Sequence, residues 1–361
     1  MTGIQLPLDL PASDAAPCPA ALPGRPPAFR PPVWYAGDWP WDADPAGPPL
    51  TWWDAVVIAS SGGKDSQVMT LWLSAQPDFD PGRTWVVHND TGQEHRGALE
   101  KAREAAAHAG IAAERVLVTK PYLGRTLLDL VLMRRRWPGM SPTTRPCTNT
   151  LKRDPTDKLL RRMGDHARLL VLTGERHEES PNRAKMPPWA FRRATSQARR
   201  PKKRRLAVHW RPLLDWSTDQ VFERIAHHGQ KPLWVYDAGQ VRSQIGGPDS
   251  DALAYSRASC ALCVYLRPQE LETSFNLYPA LACLATKVET YIAHRWRQDL
   301  ALAEVWARVY GSPGGYRAAE GRRLLALGPE TLVARATGQR VDEIAPELVD
   351  DLLAAAKTKI A

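Results

Sequence analysis

The chain contains 361 residues, 43% of them hydrophobic, which is enough for one large domain with additions or for two domains. Its 5 cysteines do not describe a disulfide framework, no stretch approaches a membrane span, and the start lacks the features of a secretory signal. These properties exclude a disulfide-stapled or membrane-spanning protein and predict a cytoplasmic enzyme. The net charge of +9 favours an acidic partner.

Three regions follow one another along the chain. Residues 1–50 are rich in Pro, Ala and Asp and predict an extended arm, in which Cys18 is incidental. In 51–267 strand-like apolar runs alternate with helical patterns, which predicts an α/β fold with a doubly wound, mostly parallel sheet. Residues 268–361 have Ala and Leu at helical spacing and predict a helical C-terminal region. The strand-like runs cover 55–59, 84–88, 115–118 and 168–173, and the helical patterns include 97–109, 154–163, 299–310 and 347–356.

The most informative stretch is Ser61-Gly-Gly-Lys-Asp-Ser66, which lies between the apolar run at 55–59 and a helix-like segment at 67–73. Two glycines let successive N–H groups converge on one point, and the following helix adds its unpaired N–H groups and its positive dipole end. Such a pocket suits phosphate: Lys64 supplies a charge, and Asp65 orients a loop amide or helps to hold Mg²⁺. A strand-to-helix turn that merely uses glycine is the alternative.

The spacing differs from the Walker A pattern and resembles the PP-loop of ATP pyrophosphatases, which cleave ATP between its α and β phosphates. Further segments, from about Trp52 to Leu266, are similar to the phosphoadenosine phosphosulfate (PAPS) reductase branch of that superfamily. The first reads Asp90-Thr-Gly92 and follows the apolar run at 84–88. Since ligands in open α/β sheets bind at the carboxyl ends of strands, this segment is expected beside the PP-loop, with an ordinary turn as the alternative.

Another similar segment, 172–183, resembles a strand and loop that face a phosphate or sulfate group, for which the planar fork of arginine is suited. Lys152 corresponds to a lysine that the family carries after its cysteines. The resemblance therefore implies an adenine nucleotide alpha hydrolase-like fold, with Lys64 and Asp65 as catalytic residues. The nucleotide contacts that it implies are Ser61, Gly62, Gly63, Lys64, Asp65, Ser66, Asp90, Thr91, Gly92, Lys152, Gly174, Arg176, Ser180 and Arg183.

Three cysteines are predicted as metal ligands. Cys260 and Cys263 have the spacing of a metal clip, and the family's fold implies that Cys147 joins them. Three thiolates can hold a [4Fe–4S] cluster and leave one iron open, whereas Thr148 stands where members with four ligands have a second cysteine. A zinc clip completed by a histidine and metal-free buried cysteines are the alternatives. Cys283 is a further candidate ligand, although its surroundings are typical of an apolar helix face.

Much of the excess positive charge comes from 192–205, a segment that contains no acidic residue. Because such a run repels itself, it predicts a mobile insertion that binds DNA or RNA phosphates, or one that only confers solubility. A second basic cluster, 134–137, ends in Trp137, which either stacks on a base or belongs to the core.

The resemblance leaves three functions open. A PAPS or adenylyl-sulfate reductase binds an adenosine sulfonucleotide and uses a cysteine near its C-terminus, whereas no cysteine follows Cys283 here. The reductases also tend to have degenerate PP-loops, and this one is intact. An ATP-dependent sulfurtransferase, similar to DNA-phosphorothioation enzymes, is therefore favoured: it binds Mg-ATP, adenylates its substrate and receives sulfur from a donor protein. A regulatory or defence module that only holds ATP is the third.

Overall fold

The structure is a computed structural model that describes most of the chain after residue 48. The described ranges are 49–121, 124–141, 144–164, 167–196, 205–245, 253–258, 260–311, 317–339, 341–344 and 346–360. The predicted arm, except for its last two residues, and the centre of the basic segment, 197–204, lie outside the described residues.

Six strands form one sheet in the described part of the chain, in the order β3-β2-β1-β4-β6-β5. All neighbouring pairs are parallel except β5 and β6, which pair antiparallel. The strands are β1 (Ala55–Ser60), β2 (Thr84–Asn89), β3 (Val116–Thr119), β4 (Arg168–Leu172), β5 (Trp189–Phe191) and β6 (Leu206–Trp210). The first four coincide with the predicted apolar runs, which confirms the predicted α/β fold with a mostly parallel sheet.

Strand β1 lies in the middle of the sheet and is apolar along almost its whole length, as expected for a strand that is covered on both faces. Val57 is fully buried and is paired with Trp85 on one side and Val171 on the other. The strand order reverses between β1 and β4, since β2 and β3 extend to one side and β6 and β5 to the other. In open α/β sheets such a reversal opens a crevice at the carboxyl ends of the strands, where ligands bind.

Helices connect the strands and continue to the end of the described chain. They are α1 (Lys64–Ser74), α2 (Ala98–His108), α3 (Leu127–Arg134), a π-helix (Cys147–Arg153), α4 (Asp154–Arg162), α5 (Thr218–His227), α6 (Ala238–Ile245), α7 (Pro268–Leu277), α8 (Pro279–Ile292), α9 (Leu302–Tyr310), α10 (Ala318–Leu325), α11 (Pro329–Thr337) and α12 (Pro346–Lys357). The helical C-terminal region is confirmed, although α9 begins at Leu302 because Arg297 and Leu300 form a short bridge. No helix in the described ranges is both long and apolar enough to span a membrane.

One hydrophobic cluster contains residues from both sides of position 268, so that the C-terminal helices share a core with α3 and with the Cys-x-x-Cys segment. Trp296, for example, is buried and donates its indole N–H to the carbonyl oxygen of Leu262 at 3.2 Å. Trp137 is 1% exposed and also belongs to this cluster, which excludes it from stacking on a base. Cys283 on α8 is fully buried among the same residues.

The prediction that the basic segment 192–205 is mobile is wrong at its two ends. Arg192 forms an ion pair with Asp157 on α4, with Nε and Oδ1 2.5 Å apart. Arg205 is 2% exposed and donates hydrogen bonds to the carbonyl oxygens of Arg161 (2.7 Å) and Gly164 (2.6 Å) at the end of α4. The pairing of β5 with β6 brings both arginines to α4, whose last carbonyls lack intrahelical partners and attract cations.

Candidate functional site

The loop between β1 and α1 is shaped by its own backbone. Gly62 has a φ of +71°, and a Cβ atom added there would lie 2.0 Å from the carbonyl oxygen of Ala98, so only glycine fits. The N–H of Gly62 donates to the Ser60 hydroxyl at 3.3 Å, and that of Gly63 donates to the Ser61 hydroxyl at 3.4 Å. Gly63 is the N-cap of α1, so the positive end of that helix faces the loop.

Lys64 is the first residue of α1 and is only 2% exposed. Its ammonium lies 3.0 Å from an oxygen of Asp65, 3.5 Å from the carbonyl oxygen of Ser256, and 5.3 Å from the centre of the Tyr236 ring. Burial lowers the pKa of Lys64, an effect that Asp65 opposes. The loop thus holds a desolvated cation whose partner is the next residue in the chain.

Tyr236 joins this loop to a distant segment. Its hydroxyl oxygen accepts hydrogen bonds from the N–H of Lys64 at 3.2 Å and from the N–H of Ala258 at 2.9 Å. Burial raises the pKa of Tyr236 well above its ordinary value, so the phenol stays neutral. Its contacts with the loop are visible only in the fold, because Tyr236 and Lys64 are 172 residues apart in the sequence.

The second loop, after β4, packs directly on the first. A Cβ atom at Gly174 would lie 3.0 Å from the carbonyl oxygen of Asp65, which explains the glycine. Arg176 is 2% exposed, and its Nε lies 2.7 Å from the carboxylate of Asp65. The same guanidinium also pairs with Glu178 and donates to the carbonyl oxygen of Trp216 at 3.1 Å. In this arrangement Arg176 holds Asp65 in place and has few donors left for a ligand.

The remaining predicted residues of this loop lie at its far end. The N–H of Arg183 donates to the Ser180 hydroxyl at 3.3 Å, and its guanidinium pairs with Glu179. Burial lowers the pKa of Arg183, and the nearby guanidinium of Arg257 lowers it further, whereas Glu175 opposes both. The half-buried Arg183 therefore lies among charges of both signs.

The Asp90-Thr-Gly92 segment lies after β2, beside the first loop at the carboxyl edge of the sheet. Asp90 accepts the N–H of Gly92 at 3.0 Å and pairs with Lys120 at 3.4 Å. The hydroxyl of Thr91 bonds to Glu94 and lies 3.6 Å from the sulfur of Cys260. These contacts direct the segment towards the cysteines.

The three predicted metal ligands lie near one another and near Lys152. The pKa of Lys152 is raised, chiefly by Cys260, with further contributions from Glu94 and from the other two cysteines. Burial raises the pKa of Cys260 to about 12 and also raises that of Cys147. Among the residues described, no three His, Cys, Asp or Glu side chains are arranged to hold a metal ion. As they stand, the side chains do not fit a cluster.

A polar chain next to the second loop was missed by the sequence analysis. The Nε2 atom of His209 on β6 lies 2.5 Å from the hydroxyl of Thr173, which also bonds to Glu175. The guanidinium of Arg211 lies 3.2 Å from Nδ1 of His209 and therefore fixes Nε2 as the protonated nitrogen. Burial lowers the pKa of His209 to about 3. The short strand β6 was not predicted, so no pattern pointed to this histidine.

A family model described as "Phosphoadenosine phosphosulfate reductase domain" matches residues 55–317 of the chain. The chain belongs to the PAPS reductase family. This family is part of the PP-loop superfamily and binds nucleotides, which agrees with the loop at the switch point of the sheet. The predicted family is thereby confirmed.

Two individual proteins are similar to this member of the PAPS reductase family. An uncharacterized 37.8 kDa protein in the gpa 5′ region of Escherichia phage 186 is 26% identical over 281 residues, which cover 66% of this chain and 75% of the phage protein. The crystal structure of a phosphoadenylyl-sulfate (PAPS) reductase from Candida auris, a phosphate complex, has 16% identity and a TM-score of 0.36. That match covers 53% of this chain and 80% of the Candida chain.

Proposed function

We propose that this protein binds Mg-ATP in the loop Ser61–Ser66, cleaves it to AMP and pyrophosphate, and adenylates a substrate for sulfur transfer, with nucleic acid as the acceptor. The observation that carries the proposal is the intact loop itself. Its backbone is pre-shaped around a left-handed Gly62, and it contains a buried lysine, Lys64, at the N-terminus of α1. Convergent N–H groups, a helix dipole and a desolvated cation together suit the phosphates of a nucleotide.

The cation of Lys64 suits the step in which pyrophosphate leaves. Charge develops on the leaving phosphates, and a positioned ammonium in a desolvated site stabilises that charge without reorganisation. Asp65 holds this ammonium 3.0 Å away, and Arg176 holds Asp65 from the other side at 2.7 Å. Under this proposal Lys64 contacts the phosphates, whereas Arg176 positions Asp65.

Asp65 is also suited to binding Mg²⁺. Its carboxylate is 20% exposed and keeps lone pairs beyond those that accept from Lys64 and Arg176. Magnesium is usually held by one or two carboxylates together with substrate phosphates, so a single well-placed aspartate fits it. When bound, Mg²⁺ would supply charge neutralisation at the phosphates of ATP.

The [4Fe–4S] cluster on Cys147, Cys260 and Cys263 stays a prediction, and no step of the reaction is derived from it. The chemistry of three soft sulfur ligands favours it, whereas no three such side chains among the described residues are arranged to hold a metal ion. Iron and sulfide content of anaerobically purified protein tests the prediction. Iron-free protein without a visible chromophore would remove the cluster from the proposal.

The excess positive charge of the chain supports a nucleic-acid acceptor, because neutralising phosphates by Lys and Arg drives such binding. Because Arg192 and Arg205 are bound to α4, we propose that the residues between them contact DNA or RNA. A sulfur-donor protein completes the proposed reaction. It would deliver the atom that displaces AMP.

The test is product analysis with ATP labelled in its α phosphate, which follows AMP, or in its γ phosphate, which follows pyrophosphate, in the absence and presence of DNA or RNA. The proposal predicts AMP and pyrophosphate, and a strong loss of both in Lys64→Met but not in Lys101→Met, a control lysine on α2 paired with Glu104. Sulfite release from PAPS with thioredoxin would favour the reductase instead. Tight ATP binding without cleavage under all conditions would favour the regulatory module.

A further inference from the structure

Two arginines that the sequence analysis did not assign share one aromatic ring. The guanidinium carbon of Arg145 lies 4.9 Å from the centre of the Tyr265 ring, and that of Arg257 lies 5.7 Å from it. The ring is itself fixed, because the Tyr265 hydroxyl donates to the carbonyl oxygen of Met140. Attraction to the face of a ring orients a guanidinium while leaving its in-plane N–H groups available to an oxyanion.

Within the described ranges, both arginines have few polar partners. Among the residues that the structure describes, neither guanidinium forms an ion pair with a carboxylate. The Nε of Arg145 is buried without a hydrogen-bond partner, and Arg257 reaches only the carbonyl oxygen of Glu179, at 3.5 Å. Arg183 lies near both of them, since their positive charges lower its pKa beyond the effect of burial. Arg183 already has Glu179 as its carboxylate partner, so the two guanidiniums suited to an added anion are those of Arg145 and Arg257.

The position of the pair relates it to the nucleotide site. Arg257 lies between Ser256, whose carbonyl oxygen accepts from Lys64, and Ala258, whose N–H donates to Tyr236. Arg145 precedes Cys147 by two residues, just before the π-helix. The two arginines therefore connect the surroundings of the phosphate loop with those of the cysteines.

We infer that Arg145 and Arg257, oriented by Tyr265, form a second oxyanion site that binds a phosphate group of the acceptor and not a phosphate of ATP. The inference rests on the proposed function, and it names what holds the second substrate. A phosphate bound there would lie between the loop that activates the acceptor and the thiols. The two guanidiniums would bind the oxyanion of either a free phosphate or a phosphodiester.

The test is calorimetric binding to the full chain saturated with an ATP analogue whose α–β bridge is a methylene group. The probes are inorganic phosphate and the dinucleotide TpT. Loss of a charge-assisted contact predicts that Arg145→Gln and Arg257→Gln each weaken probe binding by about 10-fold or more, with a change in analogue affinity below about 3-fold. The matched control is Arg135→Gln, because Arg135 also stacks on a tyrosine, Tyr291, at 5.2 Å but is exposed.

The outcomes separate the sources of the ligand. Tighter binding of TpT than of phosphate identifies a phosphodiester, and binding of phosphate alone identifies a small free oxyanion. The inference is overturned if neither probe binds the saturated wild-type protein, if the two variants bind the probes normally, or if they lose the analogue as strongly as the probes. Because the analogue cannot be cleaved, these results do not depend on whether ATP turnover occurs.

Discussion

Replacing Tyr236 by phenylalanine removes a single oxygen atom from the candidate site. That atom accepts the N–H groups of Lys64 and Ala258, at 3.2 and 2.9 Å. A buried donor left without a partner costs about 1–3 kcal/mol, so the two together predict a loss of about 2–6 kcal/mol. If about 2 kcal/mol of this loss destabilises the ATP-binding conformation of the loop, the Kd for ATP rises about 30-fold.

The assay combines ATP titration calorimetry with urea unfolding of wild type and Tyr236→Phe. The matched control is Tyr255→Phe, because the Tyr255 hydroxyl is also buried and lies 2.7 Å from that of Ser274, with no contact to the loop. We expect both variants to lose stability and only Tyr236→Phe to lose ATP affinity. An unchanged ATP affinity in Tyr236→Phe, or an equal loss in Tyr255→Phe, would refute the assignment of Tyr236 as the residue that positions the loop.

Two further predictions concern the loop and the core. Gly62→Ala is expected to abolish ATP binding, because the added Cβ would overlap the carbonyl of Ala98. The control is Gly110→Ala, at a similar φ of +73° with open space around it, which should lose only about 1 kcal/mol of stability. Unfolding and ATP titrations compare the two variants, and equal effects would contradict the steric argument. His95 is buried against Tyr278, and burial lowers its pKa from 6.5 to about 4. The unfolded chain therefore binds more protons between these pH values, and stability should fall as pH drops through this window, by up to about 3 kcal/mol, in urea titrations. His95→Gln should flatten this dependence, and an unchanged slope would count against it.

The parts of the fold that the sequence predicts are those with a strong local pattern. Strands β1 to β4 are continuous apolar runs, and the phosphate loop has a distinctive composition between a strand and a helix. Strand β5 has three residues, and β6 ends in His209 and Trp210 next to a run of arginines, so neither has a recognisable pattern. The ends of the basic segment were misjudged for a related reason, since charge composition does not reveal that α4 offers carbonyls and Asp157 as partners.

Much of the candidate site depends on contacts between distant parts of the chain. Tyr236 and Lys64 are 172 residues apart, so no local motif indicates that one positions the other. Arg145 and Arg257 are far apart in the sequence, and only the fold brings both guanidiniums to the ring of Tyr265. Residue type suggested phosphate contact for Arg176, but the fold supplies it with protein partners through Asp65 and neighbouring residues.

The loop at Ser61–Ser66 is proposed to support cleavage of ATP between its α and β phosphates. Its most direct test is the identity of the products formed from ATP by the purified full chain with candidate nucleic acids. We expect AMP and pyrophosphate in equal amounts, with a strong loss of both in Lys64→Met. Formation of ADP and phosphate, or reduction of PAPS to sulfite without any AMP from ATP, would contradict it.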